Sequence, residues 1–231
     1  MKTISLTKVN LLMNNIIYED NHLIVVYKDS GMLTQSDITG DKDLLSEVKN
    51  YIKIKYHKPG NVYLGMVQRL DRMTSGLIVF ARTSKAASRL SEDIRKHKVE
   101  KKYLAVCHDN FKRDKGRLTD KIAKIDKKAV ISPEGKEAIL DYEVIARKKG
   151  QALVSINLVT GRYNQIRCQL ASLGSPIYSD YKYGNSEDGN LALSAYYLSF
   201  THPVTKEKLC FKKMIIRDAF KNFEGEINEF I

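Results

Sequence analysis

Asp71 lies between two arginines in the segment Gln68-Arg69-Leu70-Asp71-Arg72-Met73-Thr74-Ser75-Gly76. Neighbouring cations favour the ionised form of a carboxyl group. Such an oxygen can add to an electrophile or accept a proton near neutral pH. The same residues also suit a structural role, an aspartate that caps a turn or pairs with Arg69 or Arg72. The segment is polar, ends in glycine and precedes the apolar run 76–82, so it belongs to a loop at a strand end, where functional groups gather.

Two further stretches carry chemistry. In Leu158-Val159-Thr160-Gly161-Arg162-Tyr163-Asn164-Gln165-Ile166-Arg167 a strand passes through a glycine turn into a helix. The first helical turn offers backbone N–H groups beside Arg162 and Arg167, a setting for an anion, either a phosphate or a catalytic carboxylate. The alternative is a capped helix whose arginines face solvent. In Val99-Glu100-Lys101-Lys102-Tyr103-Leu104-Ala105-Val106 an aromatic follows two lysines at the entry to a strand. Tyr103 can stack on a nucleobase there, or serve as an ordinary half-buried strand residue.

These segments need a scaffold, and the remaining sequence supplies one. Residues 16–28 are β-branched and aromatic, broken at Asp20-Asn21, which predicts a hairpin. Leu44, Leu45, Val48 and Ile52 recur at helical spacing after Asp43, and Pro59-Gly60 marks the exit. A buried strand is predicted over 76–82, then a second helix with Ser84 as N-cap and Ala87, Leu90 and Ile94 inward. Strands follow at 101–107, 138–146, 152–159 and 191–200, with a basic loop region over 108–135. A third helix is predicted over 163–173, stopped by Gly174-Ser175-Pro176. Strands outnumber helices and several adjoin directly, so the fold class is α+β with a mixed, mostly antiparallel sheet.

Composition bounds the partners. The chain has 231 residues with 43% hydrophobic and 29% charged, enough apolar content for a real core. Lys and Arg number 39 against 27 Asp and Glu, a net charge of +12, which favours a polyanion such as nucleic acid. The stretch 82–128 holds 16 basic and 7 acidic residues, so a basic face is expected rather than a uniform coat. Cys107, Cys168 and Cys210 are far apart, which suits a reducing cytoplasm. The five histidines show no metal-ligand spacing, so no metal is expected. No apolar run approaches the length of a membrane span. No G-x-G-x-x-G or P-loop occurs, which argues against nucleotide cofactors. Residues 1–15, with Lys2 and Lys8 but no continuous apolar stretch, are expected to be a short extension rather than a signal peptide. Residues 16–231 are expected to form a single domain, since no repeat or linker divides them.

Taken together, the three chemical stretches resemble the RluA-type pseudouridine synthases. Residues 68–76 match the family pattern H-R-L-D-x-x-T-S-G except at its first position, and 160–169 match T-G-R-x-H-Q-I-R-x-H with both histidines changed. Further agreement lies in Tyr18-Glu19-Asp20, Val25-Val26-Tyr27-Lys28, Lys102-Tyr103, Gly174-Ser175-Pro176-Ile177, Asp180 and Tyr183-Gly184. The resemblance runs from about residue 16 to residue 212 in the family's order.

The resemblance implies a cofactor-independent isomerase (an intramolecular transferase). It breaks the bond from ribose C1′ to uracil N1 in ribosomal or transfer RNA and rejoins the same base through C5. Asp71 matches the catalytic aspartate, acting on the ribose as nucleophile or base. Arg167 matches the arginine that pairs with it, and Tyr103 the tyrosine that packs on the base. Arg69 matches the residue that fills the gap left by the flipped uridine. RNA contacts are expected from Arg69, Arg72, Arg162, Asn164, Gln165, Lys101 and Lys102. Extrusion of the base is a physical requirement, because a stacked uridine hides its glycosidic bond.

Three family histidines are replaced here, by Gln68, Asn164 and Gln169, which keeps hydrogen-bonding capacity but removes a titrating imidazole. Asp29 stands where the family has proline. The chain resembles the short members without an N-terminal S4-like domain, and a monomer is expected. A second reading stays open at this stage, a non-catalytic RNA-binding or ribosome-assembly protein that keeps the fold.

Overall fold

The protein is described from a computed structural model over residues 14–184 and 188–231. Of the expected N-terminal extension, residues 1–13 lie outside the described residues. The chain divides into two compact units. The first is Met1–Val99 with Phe200–Phe211, and the second is Glu100–Ser199 with Lys212–Ile231.

Unit 1 opens with the expected hairpin, β1 (Ile16–Glu19) antiparallel to β2 (Leu23–Lys28). Asp20 closes its turn, Oδ1 accepting the N–H groups of His22 and Leu23, each at 2.7 Å. β2 pairs antiparallel with β4 (Ser75–Ala81), Leu23 opposite Ala81 and Lys28 opposite Gly76, and the short β3 (Gly65–Met66) also pairs with β4. Every residue of β2 is buried, so the strand reads as a continuous apolar run rather than an alternation. Each fully buried Leu, Ile or Val contributes about 1.5–3 kcal/mol relative to exposure.

Helix α1 (Leu44–Lys55) starts at Asp43, whose carboxylate accepts the Ser46 N–H at 2.9 Å, and buries Leu44, Val48, Tyr51 and Ile52. Helix α2 (Ser84–Arg95) is capped by Thr83, not by Ser84 as expected. Thr83 keeps extended backbone and its Oγ1 accepts the Ala86 N–H at 3.2 Å, whereas Ser84 is already helical. α2 packs on β3 and β4. Gly65 permits that approach, because a Cβ there would sit 2.8 Å from the Ala87 Cβ.

Unit 2 is built on antiparallel ladders in the order β10 (Leu193–Thr201), β5 (Glu100–His108), β9 (Gln151–Leu158), β8 (Lys136–Lys148), β6 (Lys115–Ile125), β7 (Lys128–Ile131). Only the last two residues of β10 fall in unit 1. The region 108–135, expected as loop, therefore holds two strands. Its lysine content hid them. Cross-strand charge pairs compensate that content: Arg117 lies opposite Asp141 and bonds it at 2.6 and 3.1 Å, and Lys115 lies opposite Glu143 and pairs with it at 2.7 Å. Ile122 and Ala129 turn inward, with Ala138 and Cys168, beneath Tyr163 and Tyr183.

Helix α3 (Gln165–Ser172) is shorter than the expected 163–173, because Asn164 adopts a left-handed conformation at φ 48° and forces a late start. Strand β11 (Lys208–Lys212), a 3₁₀ turn over Asp218–Phe223 and helix α4 (Glu224–Phe230) complete the chain and were not anticipated. The class is α+β with mostly antiparallel pairing, as expected. Among the described residues no helix is long and apolar enough to cross a membrane.

Candidate active site

Asp71 sits in unit 1 on the loop that leads into β4, half-buried. That loop has no regular structure of its own and is held by the segment following β2. Thr34 Oγ1 donates to the Leu70 carbonyl at 2.7 Å and accepts the Leu70 N–H at 3.3 Å. Ser30 Oγ donates to the Met73 carbonyl at 2.7 Å, and the Gly31 N–H donates to the Arg72 carbonyl at 2.9 Å. The Thr74 N–H closes a turn on the Asp71 carbonyl at 3.0 Å. Gly76, the second residue of β4, sits at φ +125°, a conformation open to glycine and strained for other residues.

Lys28 anchors the arrangement. At 0% exposure its ammonium donates to the carbonyls of Met32 at 2.8 Å, Arg72 at 2.9 Å and Asp29 at 3.0 Å. Burial pushes its pKa down to about 7, against the opposing pull of Asp71 and Asp29. The buried cation thus ties the β2 segment to the peptide next to Asp71. Sequence reasoning did not single Lys28 out for a role. The available signal was a lysine ending a wholly apolar strand. Arg72 is exposed and reaches away to Asp41, at 2.8 Å, and to the Gly31 carbonyl, at 3.1 Å. Arg69 is exposed on the same loop.

The other expected residues belong to unit 2. Tyr103 is buried on β5, opposite Ile156 of β9. Lys102 places its Nζ 5.1 Å from the Tyr197 ring centroid. Lys101 is half-buried, and desolvation lowers the pKa of its ammonium. Its Nζ would lie 3.8 Å from a Cβ at Gly161, so the Lys101 head group and the Thr160-Gly161-Arg162 turn are brought together.

That turn is locked by Gln165, which is 2% exposed. Its Oε1 accepts from the Thr160 hydroxyl and from the Arg162 N–H, both at 2.9 Å, and its Nε2 donates to the Ile139 carbonyl at 3.1 Å. Thr160 Oγ1 in turn accepts the Ile139 N–H at 2.7 Å. Arg162 is exposed, with Nε donating to the Glu137 carbonyl at 2.7 Å. Asn164 is buried, and its Nδ2 donates to the Tyr183 hydroxyl at 3.2 Å.

Arg167 is buried on α3 and grips Asp180 through two parallel hydrogen bonds, Nε to Oδ2 at 2.8 Å and NH2 to Oδ1 at 2.7 Å. The Tyr183 ring lies 5.2 Å from the guanidinium carbon. Asp180 Oδ1 also accepts the N–H groups of Lys182 at 3.0 Å and Tyr183 at 3.2 Å. Asp180 lies thirteen residues from Arg167, and no periodicity announces the pairing. Gln169, one of the residues at a changed family position, donates to Asp120 at 2.7 Å and to the Ala138 carbonyl at 3.2 Å. Among the described residues no cluster of His, Cys, Asp or Glu could hold a metal ion.

The backbone matches solved pseudouridylate-synthase structures. The human protein RNA Pseudouridylate Synthase Domain Containing 4 superposes with a TM-score of 0.78 at 21% identity, covering 96% of each chain. Human RNA Pseudouridylate Synthase Domain Containing 1 gives 0.68 at 18% identity, covering 92% of this chain and 94% of that one. The fold class is therefore that of the pseudouridine synthases.

The sequence carries the assignment further, since residues 22–172 match the family described as RNA pseudouridylate synthase. The chain is 34% identical over 219 residues to ribosomal large subunit pseudouridine synthase C of Buchnera aphidicola subsp. Baizongia pistaciae, covering 88% of this chain and 68% of that protein. It is 31% identical over 218 residues to the RNA pseudouridine synthase YjbO of Bacillus subtilis, covering 92% and 76%. It is 29% identical over 221 residues to ribosomal large subunit pseudouridine synthase D of Zymomonas mobilis, covering 88% and 69%. The chain belongs to the RluA-type RNA pseudouridine synthase family.

Proposed function

We propose that this chain isomerises uridines in large-subunit ribosomal RNA, with Asp71 as its catalytic carboxylate. Support for the substrate comes from the relatives named as ribosomal large subunit synthases. The observation that carries the catalytic reading is the Asp71 loop itself, whose backbone is fixed on both sides of Asp71 by Lys28, Ser30, Gly31 and Thr34. A residue acting on a reacting atom needs that degree of preorganisation.

The reaction is an internal transfer. The C1′–N1 bond breaks, uracil turns within its pocket, and a C1′–C5 bond forms. C5 then gives up its proton and N1 gains one, so atoms and charge balance without a cofactor. Asp71 acts on the ribose, by adding to C1′ or by taking a proton from the sugar. Tyr103 packs on the base, Arg167 holds charge beside the carboxylate, and Arg69 fills the space left by the extruded uridine. Arg72, Arg162, Asn164, Gln165, Lys101 and Lys102 complete the RNA-facing set. In this reading residues 16–231 work as one monomeric catalytic domain in the cytoplasm. The experiment is pseudouridine mapping of ribosomal RNA from cells with and without the protein. Sites present only with the protein support the proposal, and identical maps refute it.

A further inference from the structure

Unit 1 carries a cleft that the isomerisation does not use. It measures about 420 Å³ and is lined chiefly by Tyr56, Lys58, Asn61, Tyr63 and Arg82. A second cleft of about 490 Å³ shares the wall at Asn61 and Val62 and adds Lys49 and Lys53. Four cations line the pair and no carboxylate does.

The aromatic residues are presented, not stored. Tyr56 is 42% and Tyr63 51% exposed, whereas Tyr27, Tyr51, Tyr103, Tyr142 and Tyr196 are buried. Tyr56 is also held in place. The buried carboxylate of Glu19 accepts from the Tyr56 hydroxyl at 2.8 Å and from Arg82 at 3.0 Å, and the Arg82 guanidinium carbon lies 4.7 Å from the Tyr56 ring centroid. A second Glu19 oxygen takes Lys55 at 2.7 Å and the Tyr51 hydroxyl at 2.9 Å. One buried acid thus fixes a stacking surface and is itself neutralised, leaving the cleft positive.

Exposed rings, side-chain amides and lysines such as Lys49, Lys53 and Lys58 are the features that bind single-stranded nucleic acid, rings for base faces and lysines for phosphates. The place is informative as well. Arg82 follows the last residue of β4, while the Asp71 loop precedes its first. Seven residues of strand separate the two ends by roughly 20 Å. A nucleotide in the cleft is therefore not the flipped uridine.

We propose that this cleft binds a single-stranded segment of the RNA substrate outside the target site, a base resting on Tyr63 and Tyr56 and the flanking phosphates on Lys58, Lys53 and Lys49. The inference rests on the RNA-modifying reading of the chain, and it supplies an anchor within unit 1 itself.

The test uses the full chain, a 12-nucleotide oligouridylate carrying 4-thiouridine, and total ribosomal RNA from cells lacking the protein. Two variants are compared with wild type, Tyr63→Ala and the pair Lys53→Glu with Lys58→Glu. All three of these substitutions are at exposed sites, and thermal unfolding verifies that the fold is kept. Photocrosslinks are expected within residues 56–63. Tyr63→Ala should weaken oligouridylate binding about fivefold or more, as loss of a stacked base does. The charge-reversed pair should lower the salt slope by about 1.4, at roughly 0.7 per phosphate contact. On ribosomal RNA both variants should raise KM and leave kcat unchanged. Absence of crosslinks in 56–63, or wild-type affinity and salt slope in both variants, overturns the proposal. If wild type converts no uridine yet the variants lose oligouridylate binding, the cleft assignment stands and the isomerase reading falls.

Discussion

Arg167 and Asp180 form a buried, bidentate ion pair thirteen residues apart in sequence, with hydrogen bonds of 2.8 and 2.7 Å. The parallel geometry fixes the plane of the guanidinium, and the Tyr183 ring beside it limits rotation further. Arg167 is thereby pointed by a residue outside its own helix. Removing one partner leaves a buried charge without compensation, a loss of about 3–5 kcal/mol. Asp180→Asn should lower the urea midpoint accordingly and reduce turnover as well. Arg167→Met should abolish most turnover, and the double variant should be less destabilised than the two single losses combined. Additive losses would show that the pair is not coupled.

Lys28 gives the stability a dependence on pH. Burial lowers its folded pKa to about 7, while the unfolded side chain titrates near 10.5. Between these values the unfolded chain binds the extra proton, so stability rises with pH across that window and levels off below about 7, where both states are protonated. Relative to Lys28→Met, the wild-type protein should gain stability from pH 7 to pH 10. Parallel curves for the two would contradict the assignment. Loss of the link to the Arg72 carbonyl should also cut turnover on the order of 10²-fold, as a misplaced reacting group does.

Gln165 was expected to touch RNA, yet its amide makes two hydrogen bonds inside the Thr160–Arg162 turn and a third to the Ile139 carbonyl of β8. Each is worth about 1 kcal/mol and leaves buried partners unsatisfied when lost. Gln165→Leu should therefore destabilise the protein by about 2–3 kcal/mol in urea unfolding. Unchanged stability with weakened RNA binding would return Gln165 to a contact role.

The basic stretch should register in salt dependence. Charge reversal at Lys101 and Lys102 should weaken binding to ribosomal RNA more than reversal at Lys206 and Lys208, which are exposed and lie outside that stretch. Equal losses by filter binding over a salt series would indicate diffuse attraction.

What the sequence revealed followed physical signals that act locally. The hairpin over 16–28 and the helix after Asp43 announce themselves through β-branched runs and helical spacing, and both were placed correctly. The loop that carries Asp71 was legible as a loop, because it is polar, ends in glycine and precedes an apolar strand. Strands β6 and β7 were not, because Lys115, Arg117 and Lys121 look like loop residues until Glu143, Asp141 and Glu137 are seen opposite them. The Arg167–Asp180 pair and the Lys28 cage were missed for a related reason. Each joins residues that share no periodicity, and only the folded backbone brings carbonyls 29, 32 and 72 around one ammonium.

The most direct measurement converts total RNA, from cells lacking the protein, with wild-type enzyme and with Asp71→Asn, and reads pseudouridine by chemical mapping. The substitution keeps size and hydrogen-bonding reach while removing the charge and the reactive oxygen. Wild type should form pseudouridine at defined positions in large-subunit ribosomal RNA, and Asp71→Asn should form none while binding that RNA as tightly as wild type. Wild-type turnover in Asp71→Asn would contradict the assignment of Asp71, and tight binding without any pseudouridine from wild type would make the protein an RNA binder that keeps the fold.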